Sequence, residues 1–176
     1  YIGVDNPIKI AVNDANNEDI TITISHGEIT HINENNYIVR VKKAENAIIN
    51  IYENEELVEK KTFRVFEFPK PKAYIAEQNG GIILKRTLLL SGYMEAKADN
   101  FAFDDKYIIK QFSIMCAECF TKKISYGSMI KAEQREIIRQ TAPGRIVGFN
   151  NIKVQYPDGS IKHIDDLIFE LYFKNE

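Results

Sequence analysis

Asp19-Ile20-Thr21-Ile22-Thr23-Ile24-Ser25 is the stretch on which the fold turns. Successive side chains of a β-strand point to opposite faces, so this run sets Ile20, Ile22 and Ile24 on one side and Thr21 and Thr23 on the other. Every one of those five residues is β-branched, which suits a pleated surface better than a helix. The stretch predicts a strand with one apolar and one wet face. The same alternation extends outward. Strands are predicted over residues 8–12, 28–32, 37–41, 47–52 and 61–68, parted by polar turns such as Asn13-Asp14-Ala15-Asn16-Asn17. About seven short strands in fewer than seventy residues predict a small Ig-like sandwich.

Pro69-Lys70-Pro71-Lys72 breaks the pattern. Two prolines at i and i+2 lack ladder donors and push the residues before them into extended geometry. A domain boundary is placed here, with a first domain over residues 1–70 and a C-terminal β-rich domain over residues 71–176. In the second, a turn at Asn79-Gly80-Gly81 leads to further strands, one of them over residues 107–115. A helix is predicted at about 129–141, because Ile130, Gln134, Ile137 and Ile138 fall on one face and Pro143-Gly144 follows. Tyr156-Pro157-Asp158-Gly159-Ser160 reads as a hairpin turn. The last strand sets Leu167, Phe169, Leu171 and Phe173 on one face, against Asp166, Glu170 and Tyr172. The expected fold class is mostly β: two β-sandwich-like domains in tandem, the second with one α-helix.

Composition excludes several functions. The 176 residues are 44% hydrophobic and carry 23 basic and 25 acidic side chains, interspersed, for a formal charge of −2. No basic stripe is available to neutralise phosphates, so nucleic acid is excluded as a partner. The longest apolar runs, such as Thr87-Leu88-Leu89-Leu90, fall far short of the ~20 residues that span a bilayer, and no membrane contact is expected of this stretch. The sequence opens at Tyr1 with neither a methionine nor a signal-like h-region, which reads as a mature, processed or excised chain.

Cys116-Ala117-Glu118-Cys119 has the spacing of a redox pair or half a zinc site. A structural zinc takes four ligands, and the remaining soft donors, His26, His31 and His163, stand at no matching spacing. A strand continuing through the pair would put the two Cα atoms roughly 10 Å apart, beyond disulfide reach. Both thiols are therefore expected to be small semi-buried groups, without zinc and without a mutual disulfide. The three histidines read as surface residues rather than general bases. Asp99, Asp104 and Asp105 read as turn formers rather than calcium ligands, because Phe101-Ala102-Phe103 between them looks like core. Gly80-Gly81 lacks the context of a phosphate loop. No catalytic, cofactor-binding or metal-binding residue is assigned, and no partner-binding residue is identified.

One resemblance spans nearly the whole chain. Tyr1-Ile2-Gly3-Val4-Asp5-Asn6-Pro7-Ile8 resembles the segment that begins the third periplasmic domain of GldM/PorM proteins. Phe63-Arg64-Val65 followed by Pro69-x-Pro71 is similar to that family's closing strand and interdomain linker. Asn100-Phe101-Ala102-Phe103-Asp104, Phe112-Ser113, Ala132-Glu133-Gln134, Pro143-Gly144 and Pro157-Asp158-Gly159 resemble its last domain, in that order. Lys131 replaces an expected threonine cap, so capping is expected to shift to Ser128. Lys162 replaces a usual arginine, and Cys116 and Cys119 stand where small residues are usual. The resemblance implies a non-catalytic periplasmic scaffold of gliding motility or type IX protein secretion. It implies a homodimer that links a proton-driven inner-membrane motor to subunits on the outer-membrane side. It also implies a longer protein anchored in the inner membrane, of which this chain is a piece or a stand-alone relative. The alternative is a stand-alone envelope binding module, an adhesin or glycan-binding sandwich; an enzyme built on the two thiols is a third reading.

Overall fold

A computed structural model describes residues 1–11, 20–99, 107–116, 118 and 121–173. The chain splits into two compact units, Tyr1–Phe68 and Pro69–Glu176. The fold is mostly β, with β-rich units in tandem.

Among the described residues the first unit holds six strands: β1 (Asn6–Lys9), β2 (Ile20–Ile24), β3 (Gly27–Asn33), β4 (Asn36–Val41), β5 (Ala47–Glu53) and β6 (Glu56–Phe63). They form two three-stranded sheets, ordered β1-β4-β3 and β2-β5-β6. Val39 and Val41 from one sheet meet Ala47, Ile49 and Ile51 from the other, and Ile20, Ile22 and Ile24 pack against that core. The isoleucine face of the opening stretch thus turns inward, as its alternation requires. The expected turn at Asn13–Asn17 lies outside the described residues.

Two strands differ from expectation: β1 ends at Lys9 where the pattern predicts 8–12, with residues 10 and 11 in no strand, and β6 is displaced. β6 begins at Glu56 and stops at Phe63, whereas the sequence pattern predicts 61–68. Asn54 and Glu55 both take positive φ, 50° and 69°, and this two-residue turn folds the chain straight back onto β5. Arg64 to Phe68 are not in a strand. β6 is exposed along its whole length and borders no second strand among the described residues. Its edge is blunted. The register slips opposite Ile51 and Tyr52, and Glu59 and Lys61 stand across from the core residues Ile51 and Ile49, with their charged groups 3.1 Å apart. A bulge and inward-facing charges are the devices by which sheets resist edge-to-edge aggregation.

The second unit contains β7 (Lys72–Tyr74), β8 (Gly81–Leu84), α1 (Lys85–Leu90), β9 (Glu95–Lys97), β10 (Ile108–Cys116), β11 (Lys122–Tyr126), α2 (Ala132–Gln140), β12 (Ile146–Gln155), β13 (Ile161–His163) and β14 (Leu167–Tyr172). Its main sheet runs β11-β10-β12-β14-β8, with β13 paired to one end of β12; β7 and β9 form a separate ribbon. Among its described strand pairs only β14–β8 is parallel. Pro69 is tied into this unit by the Tyr107 hydroxyl, which donates to its carbonyl at 2.8 Å. In the last strand Leu167, Phe169 and Leu171 are buried as expected. Phe173 is not: it falls beyond the end of β14, half exposed, with Lys85 Nζ 5.3 Å from its ring centre.

α2 buries Ile130 just ahead of it and Gln134, Ile137 and Ile138 within it, the face read from the sequence. Its start is not capped from Ser128. The Gln134 Oε1 accepts the Lys131 backbone N–H at 2.9 Å, and its Nε2 donates to the Ile124 carbonyl at 3.1 Å, tying helix to β11. Gln134→Ala would strand both backbone groups, and urea unfolding is expected to show a loss of about 1–3 kcal/mol. α1, a second helix that the sequence pattern does not predict, is held to α2 by side chains. Arg135 donates to the Leu89 carbonyl, and Lys85 Nζ donates to the Arg139 and Thr141 carbonyls at the far end of α2. Desolvation there lowers the Lys85 pKa from its usual value.

Candidate functional site

Among the described residues, the types that usually carry chemistry do not converge. His26 lies in the turn before β3, its Nε2 3.6 Å from Glu45 Oε2. His31 lies further along β3, its Nε2 2.8 Å from the Glu34 carbonyl oxygen and its ring against Tyr37. Five residues of extended chain, roughly 17 Å, separate them. His163 lies in the other unit, on β13 opposite Lys153. Asp99 is paired with Lys72 Nζ at 2.8 Å; Asp104 and Asp105 lie outside the described residues. Among the described residues no group of three or more His, Cys, Asp or Glu side chains is placed to hold a metal ion. Gly80 and Gly81, at φ 95° and 92°, lead into β8; a Cβ on Gly80 would stand 2.9 Å from the Ile168 carbonyl oxygen. Gly80 allows the close packing of the chain on β14, while Gly81, where a Cβ would meet nothing within 4 Å, supplies the left-handed backbone.

The expectation that the two cysteines stay as free thiols without a disulfide is overturned. Cys116 is disulfide-bonded and buried, and no free cysteine stands among the described residues. The predicted separation requires β10 to continue through the second thiol. Instead the strand ends at Cys116 and the chain turns at Glu118, whose carboxylate meets Arg145 Nε at 2.9 Å. Cys119, the other cysteine of the sequence, lies outside the described residues. Intact-mass analysis without reductant is expected to give a chain about two hydrogens lighter than the reduced form. An unchanged mass would restore the two-thiol reading.

Lys97 sits between Glu95 and Glu77, at 2.7 and 3.0 Å, with Tyr74 beneath it. The hydrogen bonds that its ammonium donates, first to Glu95 and then to Glu77, raise its pKa above the ordinary lysine value. The cluster is exposed and strengthens the β7–β9 ribbon only weakly, as solvent-screened pairs do.

In the first unit a cleft of about 300 Å³ beside β1 and β6 is lined by Ile8, Ile10, Ile49, Ile51, Glu59 and Lys61. It has the greasy floor and internally paired charges of a sandwich edge.

The second unit offers a different surface. One face of its main sheet is covered: Phe112, Ile114, Val147, Phe149, Phe169, Leu171 and Ile83 are buried there. The opposite face is open, and strand register fixes its layout. Lys122, Met115, Gly148 and Ile168 form one row across β11, β10, β12 and β14. Ile146, Glu170 and Ile82 form the next across β12, β14 and β8. Below them Asn150 donates to Asp166 at 2.8 Å, while its buried Oδ1 has no partner among the described residues. Among the described residues, aromatic side chains do not cluster into a sugar-stacking platform on this face: Tyr126 is on β11 and Tyr172 on β14, three strand spacings apart, about 14 Å.

Comparison with known families follows the division of the chain. Residues 1–65 match the GldM third domain, and residues 69–172 match the GldM C-terminal domain. No curated protein matches the chain. The second match alone covers more than half of the sequence, and the two occur in the order in which the two compact units lie. The chain belongs to the GldM family, a family of gliding-motility and type IX secretion components.

Proposed function

We propose that this chain is a non-catalytic structural segment of the periplasmic part of a gliding or type IX secretion complex. It works as a homodimer, and it carries force or position from an inner-membrane motor towards outer-membrane subunits. The observation that carries this reading is the ordered pair of domain matches over residues 1–65 and 69–172. The molecule suits such a role, because its bulk is cross-paired sheet, a material that resists extension when many ladder bonds must break together. The Cys116 disulfide fits an oxidising compartment, where such bonds persist. No helix among the described residues is long and apolar enough to cross a membrane, and the reading places the inner-membrane anchor in other parts of a longer protein.

The test is made in cells. A photo-crosslinking residue placed at exposed Leu90 or Tyr93, away from the open face of the main sheet, is expected to capture envelope subunits of the secretion or gliding machinery. Protease added outside is expected to reach the chain only after the outer membrane is permeabilised. Digestion in intact cells, with capture of extracellular glycans and no envelope subunits, would replace the scaffold by the adhesin alternative.

A further inference from the structure

We propose that the open face of the β11-β10-β12-β14-β8 sheet is the surface on which a second copy of this chain packs, face to face about a two-fold axis running along β12. The proposal rests on the homodimer reading above and adds the surface that makes it.

The first ground is what the face exposes. Ile82, Ile168, Ile146 and Met115 are 64%, 50%, 48% and 43% exposed and lie in adjoining positions of two neighbouring rows. An antiparallel sheet in water ordinarily turns polar residues outward, so apolar side chains grouped on its open face mark a contact surface.

The second ground is charge. Lys122 stands at the β11 side of the face and Glu170 at the β14 side, separated by three strand spacings, about 14 Å. Neither has an ion-pair partner among the described residues, and Glu170 is flanked by Ile146 and Ile82. A two-fold axis along β12 exchanges the two sides of the sheet. It sets Met115 over Ile168 of the other copy and brings each Lys122 within side-chain reach of the other copy's Glu170, at the ~10 Å spacing of stacked sheets. The arrangement is isologous, so the Lys122–Glu170 pair occurs twice, once on each side of the axis.

Shape and area agree. Gly148 lies on the axis between Met115 and Ile168 and has no side chain to hold the sheets apart, while Ile146, next outward on the same strand, fills the centre from both copies. Five strands by three outward rows make a footprint of about 24 by 20 Å. Two such faces bury about 1,000 Å², the lower bound for a specific interface. The dimer of this chain is therefore expected to be reversible.

Sedimentation equilibrium on the 176-residue chain tests this. The wild-type chain is expected to dimerise. Ile168→Asp is expected to raise Kd at least tenfold with an unchanged melting curve, because the side chain is exposed in the monomer. Lys122→Glu and Glu170→Lys are each expected to raise Kd, and the double reversal to return it to within about threefold of wild type. Because the two residues are too distant to pair within one chain, that rescue reads a contact between copies even if Ile168→Asp also disturbs the fold. A dimer indifferent to all four variants would overturn the assigned face and leave the homodimer standing. A chain monomeric at millimolar concentration would remove both.

Discussion

Phe149→Ala is expected to cost the second unit about 3–5 kcal/mol, the largest single loss in the molecule. Phe149 is fully buried on β12, between Phe112 on β10 and Phe169 on β14, with ring centres 5.9 and 6.3 Å away. It is the middle ring of three on the middle strand of the sheet. Removing it leaves a void that neither neighbour can close, since each is fixed by its own ladder. A domain of this size has about 5–15 kcal/mol in total, so the variant keeps little in reserve. Urea unfolding followed by Tyr fluorescence is expected to show the transition of the second unit moving to much lower denaturant. The transition of the first unit stays where it was. A loss under about 1 kcal/mol would mean that the core collapses around the gap, contrary to a sheet held on both sides.

The same sheet shows how far local pattern reaches. Alternation in Leu167-Ile168-Phe169-Glu170-Leu171-Tyr172 announces a strand and its buried face directly. The residues of α2 announce a helix because four side chains at helical spacing are apolar or, at Gln134, satisfied by backbone. What the pattern cannot carry is pairing. β8 joins β14 in parallel from more than eighty positions away, and no local feature of Gly81–Leu84 names that partner. The open face is equally hidden. Glu170 and Tyr172 mark it as polar in the sequence, and only the register reveals that Ile168, Met115, Ile146 and Ile82 gather around them.

Other departures trace to single residues. A left-handed pair at Asn54-Glu55 moves the start of β6, because two non-glycine residues in that region form a tight turn that composition alone signals weakly. α1 is six residues long and buries only Leu88, too short for helical periodicity to show. The disulfide escapes an argument from strand geometry because that geometry ends at Cys116. Family membership, by contrast, is legible through ordered motifs, since such motifs mark the positions of turns and helix starts rather than any catalytic group.

Gly27→Ala is expected to be the most damaging change in the first unit, at about 3 kcal/mol. Gly27 opens β3 opposite Val41 on β4. A Cβ built on it would stand 2.3 Å from the Arg40 carbonyl oxygen and 3.0 Å from the Val41 Cα. Both are backbone atoms in a paired strand, so no rotamer change relieves the clash. The two strands must part at this end, which pulls on Val41, a 4% exposed member of the core. The His26 carbonyl also accepts the Lys42 N–H at 2.8 Å just beyond the pair, and that bond closes the same end of the hairpin. Thermal or urea unfolding should therefore register the loss, and amide exchange should rise at Val41 and Lys42 before it rises at Val39. Gly92→Ala is the control, because a Cβ there meets nothing within 4 Å and its φ is not in the left-handed region. It is expected to stay within about 0.5 kcal/mol of wild type. If Gly27→Ala were equally silent, the β3–β4 hairpin would have to be free to shift at its open end. The first unit would then be a poor element for transmitting force, because a hairpin that slides under one methyl group would slide under tension.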